Sequence, residues 1–180
     1  MSRLHHPSAD YLRQCFDYDS GVLTWKARPL NHFASKRAFG TWNTRYSGTV
    51  AGFCCMGSDG LRWVIRINRK RYNRSVLIWA YHHGWPDVFV DHENRNKLDD
   101  RVENLRLATD SLNAANTNRK SNNTSGYKGV SPNGTKWLAS IKKDYRQYNL
   151  GRYDTPEEAH AAYCKAAKEM FGEYHHNGDL

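Results

Sequence analysis

Only four of the 180 residues are cysteine, Cys15, Cys54, Cys55 and Cys164. None forms a C-x-x-C pair, and adjacent Cys54 and Cys55 give poor geometry for two tetrahedral zinc ligands, which argues against a zinc ribbon. The pattern reads as reduced thiols in a cytoplasmic protein. The chain also has no apolar run near the ~18 residues that span a bilayer, and its opening MSRLHHPSADYLRQC lacks the apolar core of a signal peptide. No membrane partner is expected. Hydrophobic residues are 39%, enough for small cores but not for one large one, and aromatics at 13% supply much of that burial. Acidic residues are outnumbered: 18 Asp and Glu against 27 Lys and Arg give a net charge of +9 and a pI near 9.5. That excess fits a polyanion binder, with nucleic acid as the leading partner, although charge alone is equally consistent with an indifferent basic surface.

Reading along the chain, SADYLRQCF is a short helix, Asp19-Ser20-Gly21 a turn and VLTWKA a strand. The stretch LNHFASKRAFGTWNTRYSG shows little periodicity and many basic and small residues, and is expected to be a loop that lies against nucleic acid. TVAGFCCM, the turn GSDG and LRWVIRINRKRYN read as a hairpin, because Trp63, Ile65 and Ile67 alternate with Arg62, Arg66 and Asn68. Arg66, Arg69, Lys70, Arg71 and Arg74 form the densest basic cluster, either a solvated edge or a phosphate-contacting one. SVLIWAYHHGW is a helix stopped by Gly84. A polar stretch from Thr117 to Gly126 places a domain boundary, giving an N-terminal part over 1–118, a linker over 119–125 and a C-terminal module over 126–180.

The segment VDHENRNKLDDRVENLR carries the densest polar chemistry. VFVDHEN reads as a strand, RNKLDD as a loop, RVENLRLAT as a returning strand and DSLNAANTN as a helix capped by Thr109 or Asp110. Strand, turn, strand and helix make the minimal ββα-metal scaffold. It puts Asp91 and His92 at the end of the first strand, Asn104 before the second, and Asn113 about one turn into the helix. Phosphodiester cleavage needs a nucleophile and charge neutralisation at the phosphoryl group. An imidazole, whose ordinary pKa is near ~6.5, can accept a proton from water, so His92 is the candidate general base. Asp91 and Asn113 offer oxygen ligands that suit a hard cation, Mg²⁺ first and Mn²⁺ as the alternative. On its own, Asp91-His92 reads equally well as a hydrogen-bonded turn without metal.

Taken together, Asp91-His92, Asn104 in NLR and Asn113 in LNAAN resemble the HNH, or His-Me finger, nucleases of bacteriophages and group I introns, over about residues 72–118. The resemblance implies a metal-dependent DNA endonuclease, homing-like, nicking or cutting both strands. It gives Asn104 the role of orienting the histidine or bracing the loop. One departure is visible: phage members often begin the preceding helix with His-Arg-Leu, where this chain has Ser75-Val76-Leu77. A non-catalytic DNA-binding regulator that retains the fold is the alternative, and an RNA-directed function a weaker one.

Beyond Gly126, Tyr127 to Val130, Trp137 to Ile141 and Tyr148 to Tyr153 read as three strands. TPEEAHAAYCKAAKEMFG reads as a helix with Thr155 as N-cap, Pro156 at its first position and Glu158 completing a capping box. If Trp137, Ala139 and Ile141 face that helix, Lys136, Ser140 and Lys142 face outward, with Arg146 and Arg152 nearby. YKGV, WLASI, LGRYDTPEEAHAAY and FGE resemble the DNA-binding domain of plant ethylene-response factors. By that resemblance Lys128, Ser131, Ser140, Lys142 and Asn149 would contact DNA. The expected fold is therefore α+β: N-terminal β-hairpins leading into a ββα-metal core, plus a three-stranded antiparallel sheet packed on one helix. The expected partner is double-stranded DNA, bound by a monomer in the cytoplasm of a phage-infected host, with no cofactor besides the metal.

Overall fold

The computed structural model describes residues 6–57, 60–119 and 122–178. The centre of the expected GSDG turn, Ser58 and Asp59, and two residues of the expected linker, Lys120 and Ser121, lie outside the described residues. The chain divides into two compact units, Met1–Leu107 and Ala108–Leu180. The division falls ahead of the polar stretch chosen from composition. It is a mixed α/β structure with several small antiparallel sheets. Among the described residues no helix is long and apolar enough to cross a membrane.

The first unit opens with α1 (Ala9–Cys15), whose N-cap Ser8 accepts from Tyr11 N. The hairpin β1 (Phe16–Asp19) and β2 (Val22–Trp25) follows. Its turn residues Ser20 and Gly21 both have positive φ, 46° and 85°, as the expected Asp-Ser-Gly turn requires. A three-stranded antiparallel sheet, β3 (Phe53–Gly57), β4 (Gly60–Ile67) and β5 (Lys70–Asn73), then leads into α3 (Arg74–His83). Helix α3 ends at Gly84, whose φ of 87° a residue with a Cβ would resist. The core gathers Leu12, Phe16, Leu23, Ile65, Leu77 and Ile78, all fully buried, from α1, both hairpins and α3. Cys15 lies in the same core, and burial pushes its thiol up to about 11, so it stays a protonated packing group.

One expected loop is a helix. Lys36–Tyr46 forms α2, with Ser35 as N-cap accepting from Ala38 N. The periodicity is short: Phe39, Trp42, Asn43 and Tyr46, at i, i+3, i+4 and i+7, make a half-buried inner face. Trp42 packs edge-on to Trp25, with ring centroids 5.0 Å apart, and against Phe33 at 5.6 Å. The side chain of Asn43 exchanges hydrogen bonds with the backbone of Arg28. A face that contains an asparagine and rests on a buried arginine does not register as an apolar stripe, which is why composition pointed to a loop.

The remaining strands of this unit are β6 (Phe89–His92) and β7 (Leu105–Ala108), paired as a two-stranded sheet and joined by a polar loop and the 3₁₀ turn Val102–Asn104. Helix α4 (Asp110–Ala115) follows, with Thr109 as its N-cap. The order strand, loop, strand, helix is the expected one, but α4 belongs to the second compact unit.

In that second unit β8 (Val130–Asn133), β9 (Lys136–Lys143) and β10 (Arg146–Tyr153) form an antiparallel sheet covered by α5 (Pro156–Phe171). The capping box of Thr155 and Glu158 is present, with Pro156 at the first position. The first strand begins at Val130, where expectation ended it, and runs through Pro132, which an edge strand tolerates. Leu112 and Ala115 of α4 pack with Ile141, Tyr163 and Phe171. Gly129, at φ 75°, lies against the ring of Tyr163, where a Cβ would collide. Gly129→Ala combines overpacking with left-handed strain, and a loss of about 2–4 kcal/mol is expected, read as a lower urea midpoint.

Candidate active site

Asp91 and His92 end β6. Asp91 is buried, and its Oδ2 accepts from Arg106 Nε across the sheet at 3.2 Å. Lys97 lies within electrostatic reach both of this carboxylate and of Arg62. Burial, and then the Arg62 charge, push the Lys97 ammonium below the usual lysine range, while Asp91 opposes them.

The ring of His92 is fixed by Asp100, which sequence reasoning did not single out. His92 Nε2 lies 2.8 Å from Asp100 Oδ1, and Asp100 Oδ2 accepts from Arg74 Nε at 2.7 Å. Asp100 is 3% exposed. A carboxylate beside a guanidinium only accepts, so Nε2 must carry the hydrogen and the lone pair of the neutral ring sits on Nδ1. Only the doubled Asp99-Asp100 hinted at this, and two adjacent aspartates are indistinguishable by spacing.

The two do different work. Asp99 forms a bidentate pair with Arg101, 2.8 Å on each side, and accepts from Asn94 Nδ2. The Arg101 hydrogen bonds hold the Asp99 carboxyl well below the usual carboxylate range. Asn104 is buried behind it: Nδ2 donates to Asn94 Oδ1 and to the Asp99 carbonyl, and Oδ1 accepts from Asn94 N. Three hydrogen bonds make Asn104 the clamp of the loop between His92 and Asp100. Asn113 is partly exposed on α4 in the second unit. Among the described residues no group of three or more His, Cys, Asp or Glu is arranged to hold a metal.

The basic residues sort into three kinds. Arg66, Arg69 and Arg71 are exposed and Lys70 partly so, and Arg66 stands directly opposite Arg71 across β4 and β5. Arg74, counted with them from its place in the sequence, is 4% exposed; it pairs with Asp100 and lies 4.6 Å over the Trp63 ring, so it is an internal group rather than a surface contact. In the second unit Ser131, Lys136, Ser140, Lys142, Asn149 and Arg152 share the sheet face away from α5, as their register with Leu138 and Gln147 requires. Lys136 is paired with Asp154 at 2.9 Å, and Ser140 Oγ accepts from Gln147. Two expected contacts are placed otherwise. Lys128 directs its ammonium to the carbonyls of Ala115, Thr117 and His176, and Arg146 stands opposite Lys143, whose side chain reaches back to α5.

The segment that holds this geometry has relatives. Residues 72–115 match the model of the HNH endonuclease family. The matched segment contains β6, β7, α4 and every member of the Arg74, Asp100 and His92 chain. An uncharacterized HNH endonuclease of Acanthamoeba polyphaga mimivirus is 38% identical over 88 residues, covering 49% of this chain and 46% of its own length. Protein 3.8 of Escherichia phage T7 is 28% identical over 109 residues, covering 58% of this chain and 89% of its own. This chain thus spans about half the length of the mimivirus protein. No solved structure matches it.

Asp100→Asn leaves the buried Arg74 without its carboxylate, so a loss of about 3–5 kcal/mol is expected, read as a lower urea midpoint. Combining it with Arg74→Met should recover part of that loss. Arg101→Ala should raise the Asp99 pKa toward the ordinary range, as followed by carboxyl NMR. Because the folded-state pKa of Asp99 is depressed, its contribution to stability is complete above the ordinary carboxylate range and is lost as pH falls through the folded value. The variant should lose that contribution.

Proposed function

We propose that this protein is an HNH-type endonuclease that hydrolyses phosphodiester bonds of double-stranded DNA with His92 as general base. The observation that carries the reading is the chain of buried Arg74, buried Asp100 and partly buried His92 inside the HNH segment. In the reaction a water oxygen attacks phosphorus as its proton passes to the His92 imidazole, the bond from phosphorus to the 3′ oxygen breaks, and that oxygen takes a proton from solvent water as it leaves. Asp100 holds the ring through this transfer and stabilises the imidazolium that forms. Asn104 keeps the loop that carries Asp100 at a fixed distance from the end of β6.

Asp91 and Asn113 each offer a hard oxygen donor of the kind that would suit a divalent cation, Mg²⁺ or Mn²⁺. Such an ion would neutralise charge on the phosphoryl group. Arg106 orients the Asp91 carboxylate from one side.

Two surfaces support DNA as the polymer. Exposed Arg66 and Arg71, directly opposite in the sheet, repel one another unless an anion lies over them. The outer sheet face of the second unit presents Ser131, Lys142, Asn149 and Arg152 together, in keeping with a DNA-binding module of the ethylene-response-factor type. Cleavage by one site per monomer favours a nick over a double-strand break.

His92→Ala is expected to lower the cleavage rate by about 10²–10⁴-fold in Mg²⁺ while DNA binding persists. A wild-type protein that binds duplex DNA and leaves it intact in both Mg²⁺ and Mn²⁺ would sink the catalytic reading in favour of a DNA-binding regulator.

A further inference from the structure

Helix α2 carries a cationic face that the cleavage chemistry does not use. Its inner face is fixed by Trp42 against Trp25 and by Asn43 on the backbone of Arg28, so its outer face is fixed too. That outer face consists of Arg37, Thr41 and Arg45, at i, i+4 and i+8, with Lys36 and Thr44 beside them, all exposed. Arg45 lies 5.3 Å over the ring of Tyr46. Ser35, Arg37, Thr41 and Arg45 border a shallow groove along the helix.

The charge on this face is unopposed. From Ser20 to Ser58 the sequence has no aspartate or glutamate, while Lys26, Arg28, Lys36, Arg37 and Arg45 fall in the same span. Among the described residues no carboxylate pairs with Lys36, Arg37 or Arg45, whereas Lys26 pairs with Asp17 at 3.2 Å. Eight residues of helix separate Arg37 from Arg45 by about 12 Å. A duplex strand offers a phosphate at roughly every 3.4 Å of its axis, so both guanidinium groups can meet one backbone. Arginine and threonine side chains donate to phosphate oxygens, contacts that fix position without carrying sequence information.

We propose that the outer face of α2 contacts the phosphate backbone of duplex DNA, adding affinity without sequence preference. The proposal rests on DNA being the substrate. It is tested by fluorescence anisotropy on short duplexes of unrelated sequence, without divalent metal and across a salt series. R37Q/R45Q is expected to make the slope of log affinity against log salt shallower by about two, with an equal loss on every sequence. R37K/R45K should keep the wild-type slope. The single variants R37Q and R45Q, each expected to remove about one unit of slope, keep the test readable if the double variant melts. An unchanged slope in R37Q/R45Q, from a protein whose wild type binds and cuts DNA, overturns this surface and leaves the nuclease reading standing. A wild type that neither binds nor cuts duplex DNA overturns both. A slope change confined to duplex RNA overturns the assignment to DNA.

Discussion

The Asp100 carboxylate is the point on which the first unit's chemistry turns. It is buried, it accepts from a buried guanidinium on one oxygen and faces the imidazole with the other, and so it ties the start of α3 to the end of β6. Removing both charges of an ion pair from water costs about as much as their attraction returns, so such a pair is weak grounds for claiming stability. What it supplies is direction. Arg74 Nε donates to one oxygen of Asp100, and the other oxygen faces His92 Nε2, so the imidazole is held at a fixed angle to the start of α3. The flat face of Arg74 over Trp63 completes the enclosure without another charge.

Arg28 shows a second way of keeping a cation inside a protein. It is 7% exposed, and no carboxylate among the described residues reaches it. Instead its guanidinium lies 4.9 Å from the centroid of Trp42 and 5.0 Å from that of Phe33, and it donates to the Tyr11 hydroxyl at 2.6 Å. Ring quadrupoles and one short hydrogen bond stand in for an anion. Its charge also joins burial, the larger influence, in pushing His32 below the usual imidazole range. An acid in this neighbourhood would neutralise the region that α2 covers. The aromatic cage holds Arg28 while leaving the surrounding surface positive.

How much of this could be read in the sequence depends on whether a role was written in residue type or in three dimensions. Helix α3 announced itself by its terminal glycine and α5 by its capping box, and the alternation in β9 gave the buried side of its sheet. Asp91, His92, Asn104 and Asn113 were visible because polar residues recurred at a family spacing. Asp100 was not, since its role depends on an arginine 26 positions earlier, and Arg74 was grouped with the surface arginines because charge gives no sign of burial. Lys128 was misplaced for the same reason: three backbone carbonyls converge on its ammonium, and backbone geometry leaves no mark in side-chain composition.

The bonds around α4 bear on how the chain is organised. Asp144 N donates to Ser111 Oγ at 2.8 Å, the Tyr145 hydroxyl donates to Asp110, and Lys128 draws in the carbonyls at and beyond the helix end. A helix of six residues is too short to persist by its own hydrogen bonds. Its order therefore comes from the β9 to β10 turn and from α5, against which Leu112 and Ala115 pack. Asn113 rides on that helix. The polar stretch after it looks like a seam between two modules, yet the contacts that hold α4 lie on its far side. The C-terminal unit is then what orders the helix that carries Asn113.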